Sequence, residues 1–106
     1  MTRKETRFFY KKENRNASLT HSAISVYAVC IPTDSFGSYL TIGIVYQSPK
    51  GIWRAAARYI GKGNKFKYQG KIYRVMPYSG SPYTPFPYAG KTRDEAGVFL
   101  YARMVM

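Results

Sequence analysis

The chain contains few of the side chains on which most enzymes and metal sites depend. It has one cysteine, Cys30, one histidine, His21, and five carboxylates among 106 residues. A single cysteine cannot form an intramolecular disulfide, which excludes a small secreted fold held by such bonds. The neighbours of Cys30 are apolar, so we expect a buried thiol that packs as a small hydrophobic group. Zinc-ligand, P-loop and dinucleotide-binding patterns are also absent. We therefore predict no metal, no cofactor and no enzymatic activity.

Long apolar runs are missing as well. The sequence has no uninterrupted segment of signal-peptide or membrane-spanning length, so it predicts a cytoplasmic protein without membrane insertion. Its 106 residues, 45% of them hydrophobic, are enough for one domain with one modest core.

Negative charge is scarce, and this is the strongest functional signal. Seventeen Lys and Arg stand against five acids, which gives a formal net charge of +12. A net charge of about 2 to 8 already suffices for the solubility of a small domain. The excess predicts a polyanionic partner, with nucleic acid, DNA or RNA, as the first expectation. An acidic surface of a protein complex would attract the same residues, and a charge that serves only solubility is the third interpretation.

The first 22 residues have the composition of a basic arm. They are poor in apolar residues, and a segment of this kind can remain flexible until it meets a partner. A short helix over residues 5–13 is one possible structure. The arm could follow a nucleic-acid backbone, or it could be a solvated tail. Its cations are Arg3, Lys4, Arg7, Lys11, Lys12 and Arg15.

Residues 23–106 have the pattern of an α+β domain. Alternating apolar residues predict strands over 23–31, 39–47 and 52–60, and turn residues separate them. In the third strand, Arg54 and Arg58 would lie on the face opposite Trp53. Residues 65–76 predict a second hairpin. We therefore expect an antiparallel sheet of four to five strands, packed by one C-terminal helix.

The end of the chain predicts a loop and then that helix. Residues 77–90 contain four of the six prolines and four aromatic residues, a composition typical of a loop held against the protein body. Thr92 and Glu95 form the pattern of a capping box. The helix that follows carries Gly97, which lowers its intrinsic stability by about 1 kcal/mol relative to alanine.

Cations and aromatic residues are interleaved between positions 54 and 74. Phosphates need cations and unpaired bases need flat apolar faces, so this mixture predicts a nucleic-acid or partner-binding surface. The alternative is that the aromatic rings belong to the core and the lysines to its solvated face. The candidate residues are Arg54, Arg58, Lys62, Lys65, Lys67, Lys71 and Arg74, with Tyr59, Phe66, Tyr68 and Tyr73.

Two other functions fit the same residues. A small phage or mobile-element protein that binds and inhibits a host or defence complex would use exposed Tyr and Arg as interface anchors. A metal-free ribonuclease would use His21 or a tyrosine as general acid or base, and Arg54, Arg58 or Lys67 to stabilise the charge on phosphorus.

Part of the chain resembles the arm-type DNA-binding domains of phage integrases. The resemblance rests on Gly51-Ile52-Trp53-Arg54-Ala55, Tyr59-Ile60-Gly61-Lys62-Gly63 and Lys91-Thr92-Arg93-Asp94-Glu95-Ala96. Those domains place a small antiparallel sheet before a helix with a Thr-x-x-Glu-Ala type of start, and the sheet contacts DNA. The resemblance implies the same fold type and the same use of the sheet. The Tyr- and Pro-rich insertion between Met76 and Lys91 departs from the compact family pattern.

Overall fold

The protein is an α+β fold in which a helix packs on one face of an antiparallel sheet. A computed structural model describes residues 8–14, 19–34, 38–59, 65–76 and 83–105. Within these ranges the elements in chain order are β1 (Phe9–Lys12), β2 (Ser25–Pro32), β3 (Tyr39–Gln47), β4 (Trp53–Arg58), β5 (Lys65–Tyr68), β6 (Lys71–Arg74), β7 (Tyr83–Pro85) and α1 (Arg93–Met104). Five strands form one sheet in the order β1-β2-β3-β4-β7, and β5 and β6 form a separate two-stranded sheet. The predicted fold class is confirmed.

Both edges of the sheet come from segments for which the sequence predicted no strand in the sheet. Phe9–Lys12 pairs antiparallel with β2, so the helix predicted over residues 5–13 is wrong there, and this part of the basic arm belongs to the sheet. Tyr83–Pro85, from the proline-rich loop, pairs with β4. Proline is tolerated at this position because an edge strand does not need every N–H for a ladder. Both segments are strands because each pairs with an available strand edge.

The main core lies between the sheet and α1. Val29, Val45 and Ala55 from the central strands are buried there, together with Leu100 and Met104 of the helix. The alternation predicted for residues 52–60 is confirmed over β4, because Trp53, Ala55 and Ala57 face the helix. Helix and sheet approach closely at Gly43. A Cβ atom there would overlap the carbonyl oxygen of Ala56 and come within 2.8 Å of a methyl carbon of Leu100.

The β5–β6 hairpin covers the same face beside the helix. Phe66 and Val75 are buried in the main core, and the N–H of Met76 donates to the carbonyl of Met104 at 2.8 Å. Asp34, which follows β2, secures the turn of the hairpin. Its carboxylate accepts the backbone N–H groups of Gln69 at 2.6 Å and Gly70 at 3.1 Å. The hairpin is therefore fixed to both the helix and the end of β2.

The opposite face of the sheet has a smaller apolar cluster. Val26, Ile44 and Ala56 are buried at its centre, and Leu19 and Tyr83 pack against them. Paired residues share a face of an antiparallel sheet. Arg54 pairs with Tyr46, and Arg58 pairs with Tyr83, so both arginines lie on this face.

The helix begins as its capping residues predict. Thr92 accepts the N–H of Glu95 through its hydroxyl at 3.1 Å, and the Glu95 carboxylate accepts the N–H of Thr92 at 3.3 Å. Gly97 is buried on the helix face that meets β1, where a Cβ atom would overlap the hydroxyl of Tyr10 and come within 2.9 Å of Phe8. The glycine thus lets two aromatic side chains approach the helix. Within the described ranges, no helix combines the length and apolar character needed to cross a bilayer.

Candidate nucleic-acid interface

Most of the predicted cations that the structure describes are exposed, but they do not form one surface. Lys11, Lys12, Arg54, Arg58, Lys65, Lys67, Lys71 and Arg74 are all solvent-exposed. Arg3, Lys4, Arg7, Arg15 and Lys62 lie outside the described residues. The exposed set divides between β1, the open face of β4 and the β5–β6 hairpin.

The hairpin separates Lys65, Lys67 and Arg74 from its aromatic rings, whereas Lys71 pairs with Tyr68 on the ring-bearing face and its ammonium lies 5.6 Å from the Tyr73 ring centroid. Successive side chains of a strand point to opposite faces. Lys65 pairs with Arg74 and Lys67 with Ile72 on the outer face, whereas Phe66 pairs with Tyr73 on the inner one. Phe66 is only 8% exposed.

Burial therefore excludes Phe66 from the predicted stacking surface. Phe66 lies nearly parallel to Tyr73, with ring centroids 5.2 Å apart and an interplanar angle of 13°. Tyr68 and Tyr73 are half-buried against the main core. The period of two places Phe66 in the core, whereas Tyr68, Tyr73 and Lys71 share one face of the hairpin.

Arg54 and Arg58 are not neighbours either. They share a face of β4, as the alternation predicted, but four residues along a strand span about 13 Å, and Ala56 lies between them. Each arginine stands beside a tyrosine of an adjacent strand, Arg54 beside Tyr46 and Arg58 beside Tyr83. Burial raises the pKa of both phenols above the ordinary value, so these tyrosines are neutral neighbours of the arginines.

A cleft does bring cations and an exposed ring together at one end of the sheet. It has a volume of about 460 Å³ and opens between the β2–β3 connection and β5. We call it the Tyr39 cleft, after the residue at the start of β3, which is 43% exposed. Its described lining is Thr33, Asp34, Tyr39, Leu40, Lys65, Phe66 and Lys67.

The edge strand β1 adds a third lysine and a second exposed ring. The ammonium of Lys11 donates to the Tyr39 hydroxyl at 2.5 Å and lies 4.5 Å from the ring centroid. This hydrogen bond holds the pKa of Lys11 above its ordinary value, so the side chain keeps its charge. Phe9, 39% exposed, meets Tyr39 edge to face at 5.7 Å. Tyr39 thus contacts a cation from β1 and lines a cleft with two cations of β5.

Little negative charge opposes these lysines. Asp34 is the acid in the described lining of the cleft, and its carboxylate is already bound by two backbone N–H groups. In the part of the chain that the structure describes, the one ion pair joins Arg93 to Asp94 at 3.8 Å, on the helix. Among the described residues, none of Lys11, Lys65 and Lys67 forms an ion pair, and their three charges outnumber the one carboxylate in the described lining of the cleft.

Neither exposed ring of this site was predicted as a binding residue. Residue 39 entered only as the start of a predicted strand, and Phe9 lies in the predicted basic arm. A strand at residues 9–12 would have revealed Phe9, since adjacent side chains point to opposite faces. Phe8 packs inward, with its ring centroid 5.6 Å from that of Tyr101, and Phe9 faces outward.

Tyr59 is the remaining predicted aromatic residue and is 51% exposed. It directly follows β4, whose C-terminal end lies beside the start of β3 because the two strands are antiparallel. Tyr59 and Tyr39 are therefore at the same end of the sheet.

A second groove lies along the start of α1 and does not suit a polyanion. Its volume is about 800 Å³, and Tyr88, Val98 and Phe99 form its apolar part. Lys91, Asp94 and Glu95 line the same groove, so its carboxylates outnumber its one cation.

The one histidine and the one cysteine of the chain are not among the described residues that line the Tyr39 cleft. His21 is exposed next to a turn in which the N–H of Ala23 donates to Thr20. No group of three or more His, Cys, Asp or Glu in the described ranges could hold a metal ion. Cys30 is buried, and burial raises the pKa of its thiol.

Comparison with protein-family models, with curated proteins and with solved structures finds no match to this chain. The resemblance to integrase arm-type domains therefore stays a prediction.

Proposed function

We propose that this protein binds nucleic acid at the end of the sheet where the Tyr39 cleft opens. The observation that carries the proposal is that Lys65 and Lys67 line a cleft with Tyr39, and that the hydroxyl of Tyr39 accepts a hydrogen bond from Lys11. Two segments far apart in sequence supply these cations. Their convergence at one site distinguishes this end of the sheet from a uniformly basic surface.

Phosphate groups are the chemistry that such lysines recognise. Each phosphate that a lysine neutralises releases condensed counterions, and the slope of log K against log salt changes by about 0.7 to 0.9 for each such contact. The formal net charge of +12 adds a long-range attraction that speeds the encounter and weakens as salt rises. Arg58 and Tyr59 lie at the same end of the sheet and extend the proposed surface.

The experiment compares two double variants that remove the same charge at opposite ends of the sheet. K65Q/K67Q removes the lysines of the cleft. K50Q/K91Q is the control, because Lys50 lies in the turn that follows β3 and Lys91 follows Gly90, which pairs with Trp53 at that same far end. Binding to fluorescein-labelled single- and double-stranded DNA and RNA is measured by anisotropy over a series of salt concentrations.

K65Q/K67Q should weaken binding and reduce the salt slope by about 1.4 to 1.8 if both lysines contact phosphates. K50Q/K91Q should leave the slope close to that of the unmodified protein. Equal losses in both double variants would mean that binding depends on total charge and not on this site. Absence of binding to every nucleic acid at low salt would refute the function.

An acidic protein surface is the competing polyanion, and the same assay separates the two. Poly-glutamate carries comparable charge without bases or phosphates. If it displaces nucleic acid as well as unlabelled nucleic acid does at equal charge, the partner is an acidic surface and the proposal of nucleic-acid binding fails.

A further inference from the structure

The described lining of the Tyr39 cleft contains apolar residues as well as cations. Leu40 and Phe66 line it together with Lys65 and Lys67, and the two lysine side chains are exposed. A site for phosphate alone needs no apolar residues. A nucleotide with an accessible base would use both parts of this lining.

Tyr39 lines the same cleft as those lysines, and Phe9 reaches the site through its contact with Tyr39. Tyr39 and Phe9 are each exposed by about two fifths and contact each other edge to face, so one cannot cover the other completely. The ammonium of Lys11 is 2.5 Å from the Tyr39 hydroxyl oxygen and 4.5 Å from the ring centroid. The ammonium is therefore nearer the hydroxyl than the centre of the ring. At that position it would meet a phosphate next to a base stacked on the ring.

From these contacts we infer that the ligand is single-stranded, with an unpaired base stacked on Tyr39 and the flanking phosphates bound by Lys11, Lys65 and Lys67. This inference rests on the proposed function. Bases of a duplex are already stacked on each other and present only their edges in the grooves. Aromatic rings on a protein stack instead on bases that are free of a partner, with little dependence on sequence.

The test uses a labelled oligothymidylate of about 12 nucleotides, within the usual site size of single-strand binders. The same strand is also presented in a duplex with its complement, and with abasic residues in place of its bases. Unmodified protein should bind the single strand more tightly than the duplex. The abasic strand, which keeps every phosphate, should bind about 5- to 150-fold more weakly, the equivalent of one stacked base.

Variants of the ring test the same contact from the protein side. Y39F keeps the ring and removes its hydroxyl, so single-strand affinity should stay within about threefold, because one hydrogen bond between side chains is lost. Y39L keeps apolar bulk without a ring and should lose about 5- to 150-fold. Both variants remove the hydroxyl that accepts from Lys11, so Y39F and Y39L should change the affinity for the duplex by the same small factor. Circular dichroism and thermal unfolding establish that both variants are folded, and the abasic strand tests the inference without any variant.

Different results separate failure of this inference from failure of the proposed function. Equal affinity for the single strand, the duplex and the abasic strand overturns the inference, and the loss in K65Q/K67Q would then still support nucleic-acid binding at this end of the sheet. A loss in Y59L but not in Y39L also overturns it, because the stacked ring would be a different one. No binding to any of the three probes removes both.

Discussion

Replacing Gly43 with alanine should destabilise the protein, although alanine is ordinarily the better residue within an element. The added Cβ would overlap the carbonyl oxygen of Ala56 on β4 and come within 2.8 Å of Leu100 on α1. Overpacking of this kind costs about 1–3 kcal/mol. Apart from this overlap, alanine in place of glycine within a strand stabilises the fold by about 0.5–1 kcal/mol. The expected net loss in the free energy of unfolding is therefore at most about 2.5 kcal/mol.

The assay is chemical denaturation followed by fluorescence of Trp53, which is the single tryptophan and lies in the same core. For a protein of this size, each kcal/mol corresponds to about 4–8 °C in Tm. Leu100→Ala by itself should cost about 2–5 kcal/mol, because it opens a cavity.

A double-mutant cycle then tests the cause. In the Leu100→Ala background the added methyl group has one neighbour fewer, so Gly43→Ala should cost about 0.5–1 kcal/mol less there than in the unmodified protein. Strict additivity of the two changes would show that Leu100 does not limit the space. An increase in stability from Gly43→Ala alone would refute the close approach of strand and helix.

Three further substitutions test the helix cap, the hydrogen bonds at the hairpin turn and the pKa of a buried tyrosine. Thr92→Ala should lower the free energy of unfolding by about 1 kcal/mol through loss of the helix cap, and Thr92→Ser should recover most of it in the same denaturation assay. Asp34→Ala removes the acceptor for the N–H of Gly70 and should speed hydrogen exchange at that amide, whereas an unchanged rate would exclude the tether. Burial raises the pKa of Tyr10 and Tyr46 above the ordinary 10.0. The unfolded chain then releases these protons first, so stability should fall as pH rises past about 10, and Tyr46→Phe should reduce that slope.

The strands of the sheet centre could be predicted because their own residues carry the necessary signal. Residues 39–47 were predicted as a strand and form β3 with the same bounds, and Thr92 and Glu95 identified the start of α1. These patterns are local: alternation at a period of two, and a side chain that caps the N–H groups of its own helix. The C-terminal helix and the antiparallel central hairpin follow from these local patterns.

The edges of the sheet could not be predicted, because they depend on what the rest of the chain leaves unpaired. Nothing within Phe9–Lys12 favours a strand over a short helix strongly enough to decide it. The open edge of β2 decides it by offering a ladder partner. Tyr83–Pro85 likewise becomes a strand only because β4 is exposed beside it.

The candidate site shows the same division. Composition by itself determined that the partner is expected to be a polyanion, since a net charge of +12 does not depend on how the chain folds. Tertiary structure decided which residues meet. It buried Phe66, separated Arg54 from Arg58, and placed Lys11 of β1 against Tyr39 beside Lys65 and Lys67 of β5. Charge is a sum over the sequence, whereas a binding site depends on distances between residues that only the packing of separate segments can set.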